Sequence, residues 1–226
     1  WTTTPWTLPS NTALCVNPDE TYVKVKAADG CTYILAEALA PKVLAGLYKK
    51  ANPDSEENGA DYEVLESYKG SDLEHQEYEA LYACSKTEAE KQKKNSHYVV
   101  CDNYVTMSDG TGIVHIAPTF GADDANVARA AGIPSLFMIN KKGETRPMVD
   151  LTGKFYLLDE LDEAFVKECV DVEKYKEYQG RWVKNAYDPQ FTVDGKYDEK
   201  AAAAAESLDI YICMMMKAAN KAFKIE

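Results

Sequence analysis

The stretch DGTGIVHIAPTFGADD, residues 109–124, decides how this chain is read. Gly110 and Gly112 allow positive φ or a close approach of neighbouring backbone. Ile113 to Ile116 reads as a short strand that Pro118 ends, with His115 facing away from Val114 and Ile116. Gly121 permits a turn. Asp123-Asp124 then opens a helix that runs through ANVARAA and stops at Gly132. The plain interpretation is an acidic helix cap and a strand histidine satisfied by its neighbours. The chemical interpretation is a carboxylate and an imidazole delivered together by a strand–turn–helix.

A second stretch is unusual in another way. WTTTPWTLPSN, residues 1–11, packs two Trp, two Pro and a run of Thr and Ser hydroxyls into a few positions. Pro5 and Pro9 stiffen the backbone. Thr offers both donor and acceptor with few rotamers. Trp1 and Trp6 read either as core or as platforms for a base, core being the commoner use of Trp.

The rest predicts scaffold. TYVKVKA (21–27) and CTYILAEA (31–38) alternate and are joined by Asp29-Gly30, which predicts a hairpin with a primed turn. LAEALAPKVLAGLYKK (35–50) has helical spacing, with Leu39, Val43, Leu44 and Leu47 on one side. NPDSEENG (52–59) is a polar loop. Tyr62–Tyr68 and Tyr78–Cys84 read as strands around the bend Lys69-Gly70, and HYVVCDNYV (97–105) supplies another. SLFMIN, KKGE and TRPMV (135–149) read as strand, turn, strand. LDEAFVKECVDVEKYKEY (161–178) and EKAAAAAESLDIYICMMMKAANKAF (199–223) each predict one amphipathic helix, the Ala run being helix propensity. With no repeat and no linker, one domain over 1–226 is expected. It has a charged peripheral segment at 86–95, read as a solvated face or a local phosphate-binding patch, and a helix-rich C-terminal part at 155–226.

Bulk properties narrow the function. The 226 residues are 46% hydrophobic, enough for a buried core. No apolar run approaches a membrane span, and no targeting segment is visible, so a cytoplasmic location is expected. A net charge of −12 argues against broad nucleic-acid binding but not against contact with one nucleic-acid end. The six cysteines lack paired spacing and nearby His, and are expected to be reduced, mostly buried thiols rather than metal ligands. GxSxG, HExxH, GxxxxGK[ST] and GxGxxG are all absent, which leaves serine-elbow, zincin, P-loop and dinucleotide chemistry unsupported.

WTTTPWTLPSN taken with GTGIVHxAPxxGxDD resembles the editing (CP1) domain of isoleucyl-tRNA synthetases. This is the hydrolytic insertion of the class I synthetases for Ile, Val and Leu, and the resemblance covers the whole chain. Valyl and leucyl relatives carry Arg where this chain has Thr4 and an acidic residue where it has Trp6. Two departures lie near the acidic pair: Ala125 replaces a common aromatic residue, and Thr119-Phe120 stands where many bacterial members have Gly-His.

The resemblance implies an α+β fold with a β-barrel-like core and peripheral helices, forming one editing domain cut from a larger synthetase. It implies post-transfer editing: hydrolysis of Val mis-esterified to the Ile tRNA, with Val-adenylate as a further substrate left open. Asp124, Thr4, His115 and Thr3 are the catalytic candidates, Asp124 holding the substrate ammonium. Thr2, Thr7, Trp6, Asn11, Gly112, Ile113 and Asp123 are the substrate-binding candidates, the Thr run forming one wall and Ile113 to Asp124 the other. No metal and no cofactor are expected, because HIGH and KMSKS are missing and ATP and Mg²⁺ would belong to the synthetic part. The expected partners are the 3′-terminal adenosine of the tRNA and the parent synthetase, with a monomeric chain and no membrane. Two alternatives stay open: editing by a valyl- or leucyl-type enzyme, and a non-catalytic module that docks the tRNA 3′ end.

Overall fold

A computed structural model describes residues 1–82 and 96–225. The charged segment 86–95, Cys84 and the end of the strand expected at Tyr78–Cys84 lie outside the described residues. The chain forms two compact units that alternate along the sequence. One contains Trp1–Thr2, Ala13–Tyr78 and His97–Ile116, and the other Thr3–Thr12, Glu79–Ser96 and Ala117–Glu226.

The first unit is built on two small sheets. Strands β1 (Ala13–Val16), β2 (Thr21–Ala27), β3 (Thr32–Ala36), β4 (Tyr62–Lys69), β5 (Tyr98–Cys101) and β6 (Ile113–Ile116) belong to it. They form the sheets β5-β1-β6 and β3-β2-β4. β1 runs parallel to β5 and antiparallel to β6, which sets Leu14 opposite His115. Among the described residues the strands make open sheets and no closed barrel. Between β3 and β4 lie two short helices, α1 (Ala40–Val43) and α2 (Leu47–Ala51).

Two details of this unit differ from the sequence expectation. The β2–β3 hairpin is present, but its turn is a three-residue loop. Ala27 N–H donates to Cys31 C=O at 2.9 Å and Gly30 N–H to Ala27 C=O at 3.0 Å. Only Gly30 takes positive φ, at 87°, so the primed two-residue turn is not used. The expected single helix over 35–50 is split, because Gly46 takes φ 77° between α1 and α2. Asp61 then holds the start of α2, accepting from Gly46 N–H at 2.9 Å and Tyr48 N–H at 2.8 Å.

Tyr22 ties β2 to the glycine-rich loop. It is fully buried, its hydroxyl donates to Gly112 C=O at 2.7 Å and accepts from Asn17 N–H at 2.9 Å. Burial pushes its phenol up to about 12. Gly112 has φ 72°, and a β-carbon there would stand 2.5 Å from the Ala36 β-carbon. Both reasons for glycine expected from the sequence apply at this position.

The second unit carries most of the helices. They are α3 (Ala122–Ala131), α4 (Glu163–Cys169), α5 (Val172–Tyr175), α6 (Glu199–Ala204) and α7 (Leu208–Ala218). The expected strand–turn–strand over 135–149 is a short hairpin, β7 (Met138–Ile139) with β8 (Thr145–Arg146). The core is Leu136, Met138, Met148, Phe155, Phe165, Tyr175, Tyr178, Leu208 and Ile212 with their neighbours. Each of the two long helices expected here is two helices. Val170 is extended, and Asp171 caps α5 by accepting from Lys174 N–H. Ala205 is extended, and Ser207 caps α7 by accepting from Ile210 N–H. Residues 78–82 carry no strand; the bridge from Glu77 to Tyr98 lies just before them. No described helix is long and apolar enough to cross a membrane.

Gly112→Ala should cost about 1–3 kcal/mol, since it adds left-handed strain and a steric clash at a buried site. Thermal unfolding measures it, and an unchanged midpoint would contradict the crowding described.

Candidate active site

The sequence-nominated residues fall into two groups, one in each unit. In the first unit β6 carries Ile113 and His115, and Gly112 precedes it. Ile113 C=O accepts from the Trp1 backbone nitrogen at 3.2 Å. Thr2 belongs to the same unit, half-buried. Burial pushes the His115 imidazole down to about 4, so the ring is neutral at neutral pH. A neutral imidazole can donate from one nitrogen and accept at the other, but it is a poor acid–base catalyst near pH 7.

The second unit holds Thr3, Thr4, Trp6, Thr7, Asn11, Asp123 and Asp124. Pro5–Ser10 is a 3-10 turn with Pro at its start. Thr3 and Thr4 are exposed ahead of it, whereas Thr7 is buried and donates its hydroxyl to Thr4 C=O at 2.8 Å. Asn11 ends the turn, its N–H donating to Leu8 C=O at 3.0 Å. Thr3 and Thr4 thus face outward, while the Thr7 hydroxyl is committed to its own turn. Trp6 is half-buried, with its ring edge-on to Phe120 at 4.8 Å, and it packs with Leu8 against the core of this unit. Its backbone N–H donates to Asp209 Oδ1 at 2.8 Å. The core reading of Trp6 is therefore the one its packing supports.

The acidic pair divides in function. The helix cap is Gly121, with Asp123 and Asp124 in the first turn of α3, so neither carboxylate is the N-cap residue that the plain interpretation expected. Asp123 is exposed. Asp124 is half-buried and folds back, its Oδ2 accepting from Ala117 N–H at 2.9 Å. The chain between them turns tightly, with Phe120 N–H donating to Ala117 C=O at 3.0 Å. A β-carbon on Gly121 would stand 2.9 Å from Asp124 Cγ, so glycine makes room for the carboxylate. Burial raises the Asp124 pKa; the Ala117 N–H opposes that shift and Asp123 adds to it. The helix N-terminus favours its ionised form. Among the described residues Oδ1 takes no hydrogen bond, which leaves a fixed carboxylate oxygen for a cationic donor.

Sequence reasoning missed three participants. Ala117 contributes only an amide, which no side-chain motif signals. Phe120 was noted as a departure, but not as the neighbour of Trp6. Asp209 lies in a helix 203 residues away, and no sequence signal links it to Trp6. Among the described residues no group of three or more His, Cys, Asp or Glu could hold a metal. Of the described cysteines, Cys15 and Cys169 are buried and Cys31 is exposed.

The fold is shared with the solved structure of GlLeuRS-CP1, at a TM-score of 0.51 and 15% identity, over 100% of this chain and 82% of that one. The class is thus a mixed helix-and-strand domain with the fold of that CP1 chain. No protein-family model matches the chain. Its sequence is 62% identical to an isoleucine–tRNA ligase of Bacteroides thetaiotaomicron over 100% of this chain and 21% of the relative. Isoleucine–tRNA ligases of Bacteroides fragilis and Porphyromonas gingivalis are 52% and 40% identical, each over 100% of this chain and 19% of the relative. The chain belongs to the isoleucine–tRNA ligase family, and it spans about a fifth of the length of the curated relatives it matches.

A depressed histidine pKa means that the unfolded state binds the proton first as pH falls. Stability is then lost from about pH 6.5 down through about 4. His115→Gln should flatten this part of the stability–pH curve, as measured by denaturant melts. A wild-type His115 resonance that titrates near 6.5 in NMR would contradict it.

Proposed function

We propose that this chain is the editing segment of an isoleucine–tRNA ligase, and that it hydrolyses the ester of Val mischarged onto the Ile tRNA. The observation that carries this reading is the half-buried Asp124. One oxygen is fixed by Ala117 N–H, and it shares a unit with the exposed hydroxyls of Thr3 and Thr4. The fraction of curated relatives that the chain spans makes the substrate part of the proposal.

An apolar pocket separates Val from Ile by only a few kcal/mol, a limit for which isoleucyl-tRNA synthetase is the standard illustration, and a second, hydrolytic site removes what slips through. The α-ammonium of an aminoacyl ester is its one charged handle. Asp124 holds that ammonium through charge-assisted hydrogen bonds, with Asp123 adding negative potential at the rim. Thr3, Thr4 and Asn11 supply donors and acceptors to the ribose and to a water. That water attacks the ester carbonyl. The C–O bond to the ribose then breaks, the ribose oxygen takes up a proton, and Val and the tRNA leave. The ester is already activated, so orientation and oxyanion stabilisation suffice without a strong base. His115, its imidazole held down at about 4, is too weak a base near neutral pH to be assigned the proton transfer. Gly112 and Ile113 hold the backbone from which it projects. A substrate hydroxyl carries the proton, and no metal or cofactor takes part. A cytoplasmic location and a monomeric segment complete the proposal.

Asp124→Ala in the full-length enzyme should slow deacylation of Val-charged Ile tRNA by about a hundredfold or more. Parallel assays with Val-adenylate show which substrate is used, and retained activity on both would end the assignment. We assign the Thr7 side chain to the wall of the pocket that receives the substrate's side chain, where its volume excludes Ile; Thr7→Ala should therefore let cognate Ile-tRNA be hydrolysed. Survival of Ile-tRNA unchanged in that variant would mean that Thr7 does not guard the pocket.

A further inference from the structure

The first turn of any helix holds N–H groups that its own carbonyls cannot satisfy. In the turn Pro5–Ser10, Pro5 has no N–H, and the Thr7 N–H donates to Thr4 C=O at 3.1 Å. Trp6 remains, and its acceptor is Asp209 Oδ1, 2.8 Å away and 203 residues along the chain. Asp209 lies in the first turn of α7, where Ser207 already caps the helix through Ile210 N–H. The carboxylate is therefore not needed to end its own helix. It is half-buried, and burying an ionisable group is costly unless it is hydrogen-bonded. The Trp6 ring is held separately, edge-on to Phe120 and against the core. Backbone and ring of one residue are thus clamped from two sides. Thr4, whose carbonyl takes both the Thr7 N–H and the Thr7 hydroxyl, lies two residues before the clamp.

We propose that Asp209 is a positioning residue of the editing site, and that it fixes the Thr3–Thr7 hydroxyls by accepting the Trp6 backbone N–H. The inference rests on the deacylase reading for its catalytic consequence, but not for its structural one. Asp209 touches no substrate in this scheme and acts only through the turn.

The test uses the full-length enzyme and two readouts, hydrogen exchange of the peptide spanning residues 3–12 and the kinetics of Val-tRNA deacylation. Asp209→Ala should speed exchange in that peptide by about tenfold or more. It should lower kcat by about tenfold to a hundredfold, with KM changed less than about threefold. Asp209→Asn keeps an oxygen acceptor and should restore both readouts to within about threefold of wild type. Asp209→Glu keeps the charge but displaces the acceptor by one methylene, and it should resemble Ala in milder form. It also serves if the Ala variant does not fold. Unchanged exchange in Ala and Glu, or an Asn variant as damaged as Ala, would overturn the proposal. If the wild type fails to deacylate Val-tRNA, the proposed function falls. Faster exchange in Ala that Asn restores would still uphold Asp209 as the holder of the turn.

Discussion

A single hydrogen bond, from Ala117 N–H to Asp124 Oδ2, holds the acidic turn in place. It bends the stretch from Ala117 to the first turn of α3 back on itself, and it fixes a carboxylate that solvent would otherwise leave free to rotate. Glycine at 121 is the steric condition for that bend. Burial and the neighbouring Asp123 both oppose ionisation, whereas the amide and the helix N-terminus favour it. A carboxylate in such a balance gains from an ammonium partner, because the incoming charge offsets the cost of burial.

The hydroxyl-bearing turn solves a different problem. Thr side chains near water are cheap to provide but hard to aim. Here two prolines, a buried Thr7 and a tethered Trp6 remove the freedom that would blur their positions. The exposed Thr3 and Thr4 then inherit a rigid base. Charge and shape are carried by separate segments that meet where the Trp6 ring packs on Phe120.

Much of this was legible in the sequence, for identifiable reasons. Gly112, the β2–β3 hairpin, β6 and α3 with its Gly132 stop were all marked by residues whose backbone preferences are strong. The acidic pair and the Thr run were marked by their order and by family resemblance. Helix continuity was not legible. Apolar spacing continues across Asp171 and Ser207, and only the structure shows those side chains turning to cap a new helix. The three-residue hairpin loop escaped for a related reason: Asp29-Gly30 is compatible with two turn geometries, and strand register selects between them. Asp209 was invisible because a contact to a backbone amide leaves no mark on the partner's side chain.

The distance of that contact along the chain has a consequence for how the protein is made. During synthesis the acceptor of the Trp6 amide follows it by 203 residues. At about 5–20 residues per second, tens of seconds pass between the two. Over that interval every residue of β1 to β6 is translated, while the hydroxyl-bearing turn still lacks its anchor. Its final geometry is set when α7 leaves the ribosome. A truncation just before Leu208 would therefore leave the acidic pair in the translated chain, but no clamp on the turn beside it.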